Sequence, residues 1–348
     1  MNRRSFLLAS GAAALLPLAG RAEVAQITGA GATFPAPVYA KWGEAAQSAL
    51  GIRLNYQAIG SGGGQNQIIN RTADFGASDA PVAAERLQQH NLLQFPTVMG
   101  SVVPIVNIPG VGADQLRLTG ELLAEIYAGR ISKWNDPKLA EVNQGVSLPN
   151  LAIAPVYRAD GSGTTFVFTS YLSAVSPEWK QKVGASTSVR WPVGNGARGN
   201  DGVASMVRNT RGAIGYVENI YATRNRLATT QLRNKAGHFV RPGMESFRAA
   251  AANADWSAPH FAANLIDTNG AGSWPIVSPT FILLPTNPQD ATRSANVMKF
   301  FDWAYRNGGQ MATELEYIPL PDQVADAVRA AWGREVKGPD GQPVWPAR

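Results

Sequence analysis

"GATFPAPVYAKWGEAAQSALGIRLNYQAIGSGGG", Gly31 to Gly64, carries a loop, a helix, a strand and a second loop in that order. Val38, Trp42, Ala45 and Ala49 recur at the spacing of one helical stripe. Thr33 is placed to cap that helix, Pro35 suits its first turn, and Gly51 stops it. Ile52, Leu54 and Tyr56 then alternate, as side chains do on one face of a strand. A turn at Gly60–Gly64, a short helix through Gln67–Asn70 and the strand-like "ADFGASD" (Ala73–Asp79) follow.

The same alternation continues outward. "TVMGSVVPIVNIPG" (Thr97–Gly110) reads as a long apolar strand leaving this unit. "AIAPVYR" (Ala152–Arg158) is another strand, followed by "ADGSG" and a helix from Thr164 or Thr165 through Ala174. "GAIGYVE" (Gly212–Glu218) and "PTFILLP" (Pro279–Pro285) read as buried strands. Ser294–Gly308 and Pro321–Val336 read as helices, and Gly338–Arg348 as a loose tail. Strands alternating with helices predict an α/β chain with mainly parallel sheets.

At 348 residues the chain is long for one core, which predicts two domains. The first 22 residues read as a cleaved export signal. Arg3 and Arg4 precede the apolar run Phe6–Gly20, and "AGRA" offers small residues around a cut after Ala22. That run is short for a membrane span, and nothing comparable follows it. "NRRSFL" resembles a twin-arginine signal, with the general secretory route as the alternative. Without Arg3, Arg4 and Arg21 the chain keeps 28 basic against 25 acidic residues, a net +3. There is no run of five or more Lys/Arg, so the sequence carries no nucleic-acid or membrane footprint. The chain has no cysteine, which excludes a lipidated amino-terminal Cys anchor and thiolate metal sites. The expected product is a free protein of the periplasm.

Three loops put hydroxyl residues and glycines where a helix is about to start: "GATFPAP" (Gly31–Pro37), "AIGSGGG" (Ala58–Gly64) and "YRADGSGTTF" (Tyr157–Phe166). A helix start leaves backbone N–H groups unpaired and carries partial positive charge. Glycines let an anion approach those groups, and a Ser or Thr hydroxyl either adds a donor or caps the helix. Arg158 adds a planar fork of donors beside Ser162, Gly163 and Thr164. From the residues alone, the anion reading and the plain capped turn both stand. Asp160 reads as a salt-bridge partner for Arg158, and Asp79 by spacing as a turn-capping residue.

Competing motifs fail. No Gly-Lys-Ser/Thr follows a glycine loop, as a nucleotide-phosphate loop needs, and "GAGATF" has Phe34 where the dinucleotide fingerprint has its third glycine. Ser61 and Ser162 have Ile59 and Asp160 two residues before them, so neither sits in a G-x-S-x-G elbow. His90, His238 and His260 are scattered and form no metal or catalytic pattern. No catalytic residue, metal or cofactor is expected.

From Ile27 to about Lys337 the chain resembles the periplasmic phosphate-binding proteins of ABC phosphate importers. The resemblance rests on "TGAGATFPAPVYAKW", "YQAIGSGGGQNQII", "DFGASDAP", "RADGSGTTFVFTSYL", "GNDGVASMVRNTRGAIGYVE" and "FFDWAYRNGGQMA". It implies two α/β lobes joined by crossover strands and closing on inorganic phosphate. It implies a phosphate shell of Thr33, Phe34 (through its amide), Ser61, Asp79, Arg158, Ser162, Gly163 and Thr164, with Asp160 orienting Arg158. Gly62 is a departure, since some relatives carry a second serine there. The implied lobes are residues 23–98 plus 276–348, and 99–275. The implied partners are phosphate and the membrane permease subunits, with the protein itself a monomer. An exported phosphate-ester hydrolase or transferase using a loop serine is the alternative, and a receptor for another tetrahedral oxyanion differs only in ligand.

Overall fold

The computed structural model describes residues 24–346, so the leader reading for residues 1–22 lies outside the described residues. The first half of the chain opens with β1 (Ala25–Gly31), α1 (Ala36–Leu50), β2 (Ile52–Ala58), α2 (Ser61–Ile69) and β3 (Phe75–Ser78). It leaves through β4 (Leu92–Val106). Next come β5 (Ala154–Arg158), α3 (Gly163–Val175), β6 (Asn195–Ala197), α4 (Gly199–Asn209), β7 (Ala213–Glu218) and α5 (Asn219–Asn225). The chain returns in β8 (Val277–Pro285), followed by α6 (Ala291–Asn307) and α7 (Asp322–Glu335).

The strands lie in the order β2-β1-β3-β8-β4-β7-β5-β6. Pairing is parallel among β2, β1 and β3, and again among β7, β5 and β6. It is antiparallel through the centre, where β8 pairs with β3 and β4, and β4 pairs with β7. The expectation of mainly parallel sheets therefore holds within each half, and antiparallel strands join the halves.

β4 makes that joint. All fifteen of its residues are buried, a span of roughly 50 Å at strand rise. Leu92 to Ser101 pair with β8, and Val102 to Val106 pair with β7. The register with β8 slips between Thr280 and Phe281, opposite Pro96, which has no N–H to give to the ladder.

Local chemistry accounts for the first unit with three corrections. Gly51 ends α1 in the left-handed conformation (φ 67°), as expected. The buried stripe of α1 is Val38, Tyr39, Trp42, Gly43 and Ala46, one step round from the predicted one; Ala45 is only half-buried and Ala49 is exposed. Thr33 does not cap the helix: Pro35 occupies the cap position and no side chain bonds there. α2 begins at Ser61, with Gly62, Gly63 and Gly64 forming its first turn. Gly64 must be glycine, because a Cβ there would come within 2.5 Å of Ala30 O and Gly31 Cα.

The tail is also corrected. Lys337 bridges Pro343, and the Trp345 ring stands edge-on to Trp332 with centroids 5.1 Å apart. Trp332 in turn belongs to an aromatic cluster with Phe95 and Tyr305 that seals one core. Apolar area on Val344 and Trp345 outweighed the turn-forming Gly and Pro around them.

Candidate functional site

Every loop singled out in the sequence leaves the carboxyl end of a parallel strand. Thr33 follows β1, Ser61 follows β2, Asp79 follows β3, and Ser162 follows β5. In open α/β sheets this edge is where ligands bind, because helix starts point their free N–H groups into it. Here two such edges face one another across the joint.

Arg158 is the centre of one side. Its guanidinium is buried, and Nε donates to Asp160 Oδ1 at 2.8 Å while Nη2 pairs with Asp160 Oδ2. Burial pushes the Asp160 carboxyl up, but the Arg158 hydrogen bonds and charge outweigh it, as does the Gly199 N–H; the net shift is down. Asp160 is therefore an ionised clamp. It leaves Nη1 to reach Thr33 Oγ1 (3.3 Å) and Thr164 Oγ1 (3.4 Å). The Arg158 N–H is anchored on Tyr216 Oη at 3.1 Å. Ser162 Oγ caps α3, accepting from Thr165 N at 3.0 Å.

The other side is built on Ser61 and Asp79. Ser61 Oγ accepts from Gly163 N (3.0 Å) and Asp79 N (3.2 Å), so this one hydroxyl joins the two sides. The Asp79 side chain takes no capping role: Thr280 Oγ1 donates to its Oδ1 at 2.7 Å. Burial pushes the Asp79 carboxyl up, against the pull of Thr280, Arg158 and Ser61, to about 7. Phe34 contributes only main chain. Its ring is buried edge-on to Tyr317 at 6.5 Å, Tyr317 Oη donates to its carbonyl at 2.6 Å, and its amide meets no acceptor among the described residues.

The sides are in direct contact. Gly62 N donates to Gly161 O at 2.9 Å, and Tyr221 Oη donates to Thr33 O at 2.6 Å. A Cβ on Gly62 would approach Gly161 Cα to 3.2 Å, so the glycine here permits close approach. Gly163 is stricter, since its Cβ would sit 2.4 Å from Ser61 Oγ and 2.6 Å from Asp79 Cβ. Gly163→Ala should keep the fold, because the sides can part, but should weaken closure-dependent binding by at least about tenfold. Near-parental affinity in a titration of this variant would mean the sides need not meet.

The structure thus brings Thr33, Ser61, Asp79, Arg158, Gly163 and Thr164 together, with the Phe34 main chain and Ser162 alongside. Sequence reading missed Asn200, Thr280, Tyr216, Tyr221 and Tyr317. Asn200 had a signal: "RGNDG" (Arg198–Gly202) repeats the pattern of a glycine at a helix start after a strand. The others had none, because a buried Tyr or Thr on a distant strand looks like core.

A family model described as a PBP superfamily domain matches residues 18–307. The phosphate-binding protein PstS of Pasteurella multocida is 51% identical over 346 residues, covering 99% of this chain and 100% of that one. The chain belongs to this family of phosphate-binding proteins. Its namesake in Haemophilus influenzae is 50% identical over 317 residues, covering 91% of this chain and 95% of that one. Among solved structures, the phosphate binding protein of Stenotrophomonas maltophilia superposes with a TM-score of 0.68 at 23% identity, over 88% of this chain and 94% of that one. A high affinity periplasmic phosphate-binding protein bound with phosphate gives 0.69 at 23% identity over the same shares. These likenesses bear on fold, and the two-lobed α/β architecture expected from the sequence is the one found.

Proposed function

We propose that the protein binds inorganic phosphate between its two lobes and delivers it to the membrane permease of an ABC phosphate importer. The observation that carries this reading is the buried cluster: donors from both sides gather with Asp79, a carboxylate that no cation pairs directly, while Asp160 is held by Arg158. Arg158, Thr33, Thr164, Ser61 and helix-start amides suit the bare oxygens of an oxyanion, whereas a carboxylate suits only an oxygen that bears hydrogen. Phosphate keeps a proton at neutral pH and sulfate does not. Membership of a family whose curated relatives are phosphate-binding proteins supports the same reading.

The shell is Thr33, Phe34 through its amide, Ser61, Asp79, Arg158, Ser162, Gly163 and Thr164, with Asp160 holding Arg158. The lobes divide at residues 98/99 and 275/276, beside the point where Val102 N donates to Ile276 O at 2.9 Å. The protein works as an exported periplasmic monomer and catalyses no reaction. Ser162 Oγ serves as a helix cap, accepting from Thr165 N, rather than as a nucleophile.

Calorimetric titration of ligand-stripped protein should show tight phosphate binding and no sulfate binding. Phosphate at a hundred times its Kd should stabilise the fold by about 2.7 kcal/mol and raise Tm accordingly. A verified ligand-free sample that shows no heat and no Tm shift with phosphate would sink the proposal.

A further inference from the structure

Asn200, the second residue of α4, is fully buried and spends both ends of its amide. Oδ1 accepts from Glu218 N at 3.0 Å, and Nδ2 donates to Thr33 Oγ1 at 2.8 Å and reaches Thr164 Oγ1 at 3.3 Å. Its own backbone N–H also points at Thr33 Oγ1, at 3.3 Å. The Glu218 N–H requires an acceptor, so the amide cannot turn round. The direction of its bond to Thr33 is fixed by a strand on the far side of the side chain.

A threonine hydroxyl has two acceptor positions and one hydrogen. Asn200 Nδ2, at 2.8 Å, takes one acceptor position of Thr33, and Arg158 Nη1 and the Asn200 backbone N–H, both at 3.3 Å, share the other. The hydrogen of Thr33 is then free only to be given away. Both Asn200 and Arg158 lie on the opposite side of the cleft from Thr33, so this arrangement exists only when the sides meet.

We infer that Asn200 is a positioning residue for specificity: by filling the acceptor sites of Thr33, and more weakly Thr164, it makes these hydroxyls one-way donors to bare anion oxygens upon closure. The inference rests on the phosphate reading and deepens it. Asn200 commits the Thr33 and Thr164 hydroxyls to bare oxygens, which leaves the protonated oxygen to face Asp79. It also ties α4 to the loop after β1 across the joint.

The test is a double-mutant cycle by calorimetric titration of the ligand-stripped full chain with phosphate, comparing the parent, Asn200→Ala, Thr33→Val and the double variant. Each single variant should lose about tenfold or more in affinity, and the double variant should lie within about threefold of Thr33→Val. A double loss equal to the product of the single losses would overturn the inference. A second variant, Asn200→Asp, keeps the shape and the acceptor for Glu218 N but offers lone pairs to Thr33. At pH 8 it should bind phosphate more weakly than Asn200→Ala, with ligand-free Tm no lower than that of Asn200→Ala. Binding by Asn200→Asp as tight as the parent's would also overturn the inference. A parent that fails to bind phosphate would instead defeat the underlying reading, and that outcome is visible before any variant is made.

Discussion

Arg158→Lys should raise the Kd for phosphate by at least about a hundredfold, although it keeps the positive charge. The guanidinium does two jobs at fixed angles: Nε and Nη2 hold Asp160, and Nη1 faces Thr33 and Thr164. One ammonium cannot serve both directions, and its stem is too flexible to stand in for a planar fork. If it turns to the ligand, it leaves Asp160, whose side chain is only 8% exposed, as an ill-paired buried charge. Breaking a buried pair costs about 3–5 kcal/mol, so the ligand-free Tm should fall as well. Calorimetry would show both effects, and near-parental binding would place Arg158 outside the shell.

Asp79→Asn should admit sulfate. Against sulfate, the ionised Asp79 carboxylate, the form that prevails above about pH 7, faces only lone pairs and like charge in a buried site. A site that demands a particular hydrogen rejects its near-isosteres strongly for this reason. Asparagine removes the charge and supplies a donor, so sulfate binding should become measurable and the preference for phosphate should shrink by about two orders of magnitude or more, while arsenate keeps its rank. An Asn variant that still refuses sulfate would strip Asp79 of its selectivity role. The same variant has a pH signature without ligand. Asp79 titrates at about 7 when folded and near the ordinary carboxylate value when unfolded. The folded state therefore binds more protons between those values, and stability declines as pH rises from about 4 to about 7, by an amount on the order of 4 kcal/mol. Burial also holds Glu218 well above the usual carboxylate range, and it adds to the decline with the same sign. Asp79→Asn should flatten the decline without abolishing it, and should melt above the parent at pH 8.

Most of the architecture was legible because it is local. Helix stripes, strand alternation and the stop at Gly51 each depend on neighbours a few residues away. What failed was what long-range contacts decide. Thr33 looked like a cap because nothing in the sequence says that Asn200 and Arg158 will claim its oxygen. Asp79 looked like a turn residue because Thr280, 201 positions away, is what holds it. The tail looked loose because Trp345 finds Trp332 only after α7 is in place. The shell was named through long motifs whose residues do meet, and the gap at Asn200 is the one that pattern reading could have filled.

β4 crosses between the lobes as one unbroken strand, and this limits how the molecule can deform. Opening would be spread as small changes of twist along a hydrogen-bonded ladder, like the flexing of a leaf spring. The slip in register at Thr280 and Phe281 lies at the first-lobe end of that ladder, and Thr280 is the residue that grips Asp79. A change of twist carried along the ladder would therefore reach the grip on Asp79.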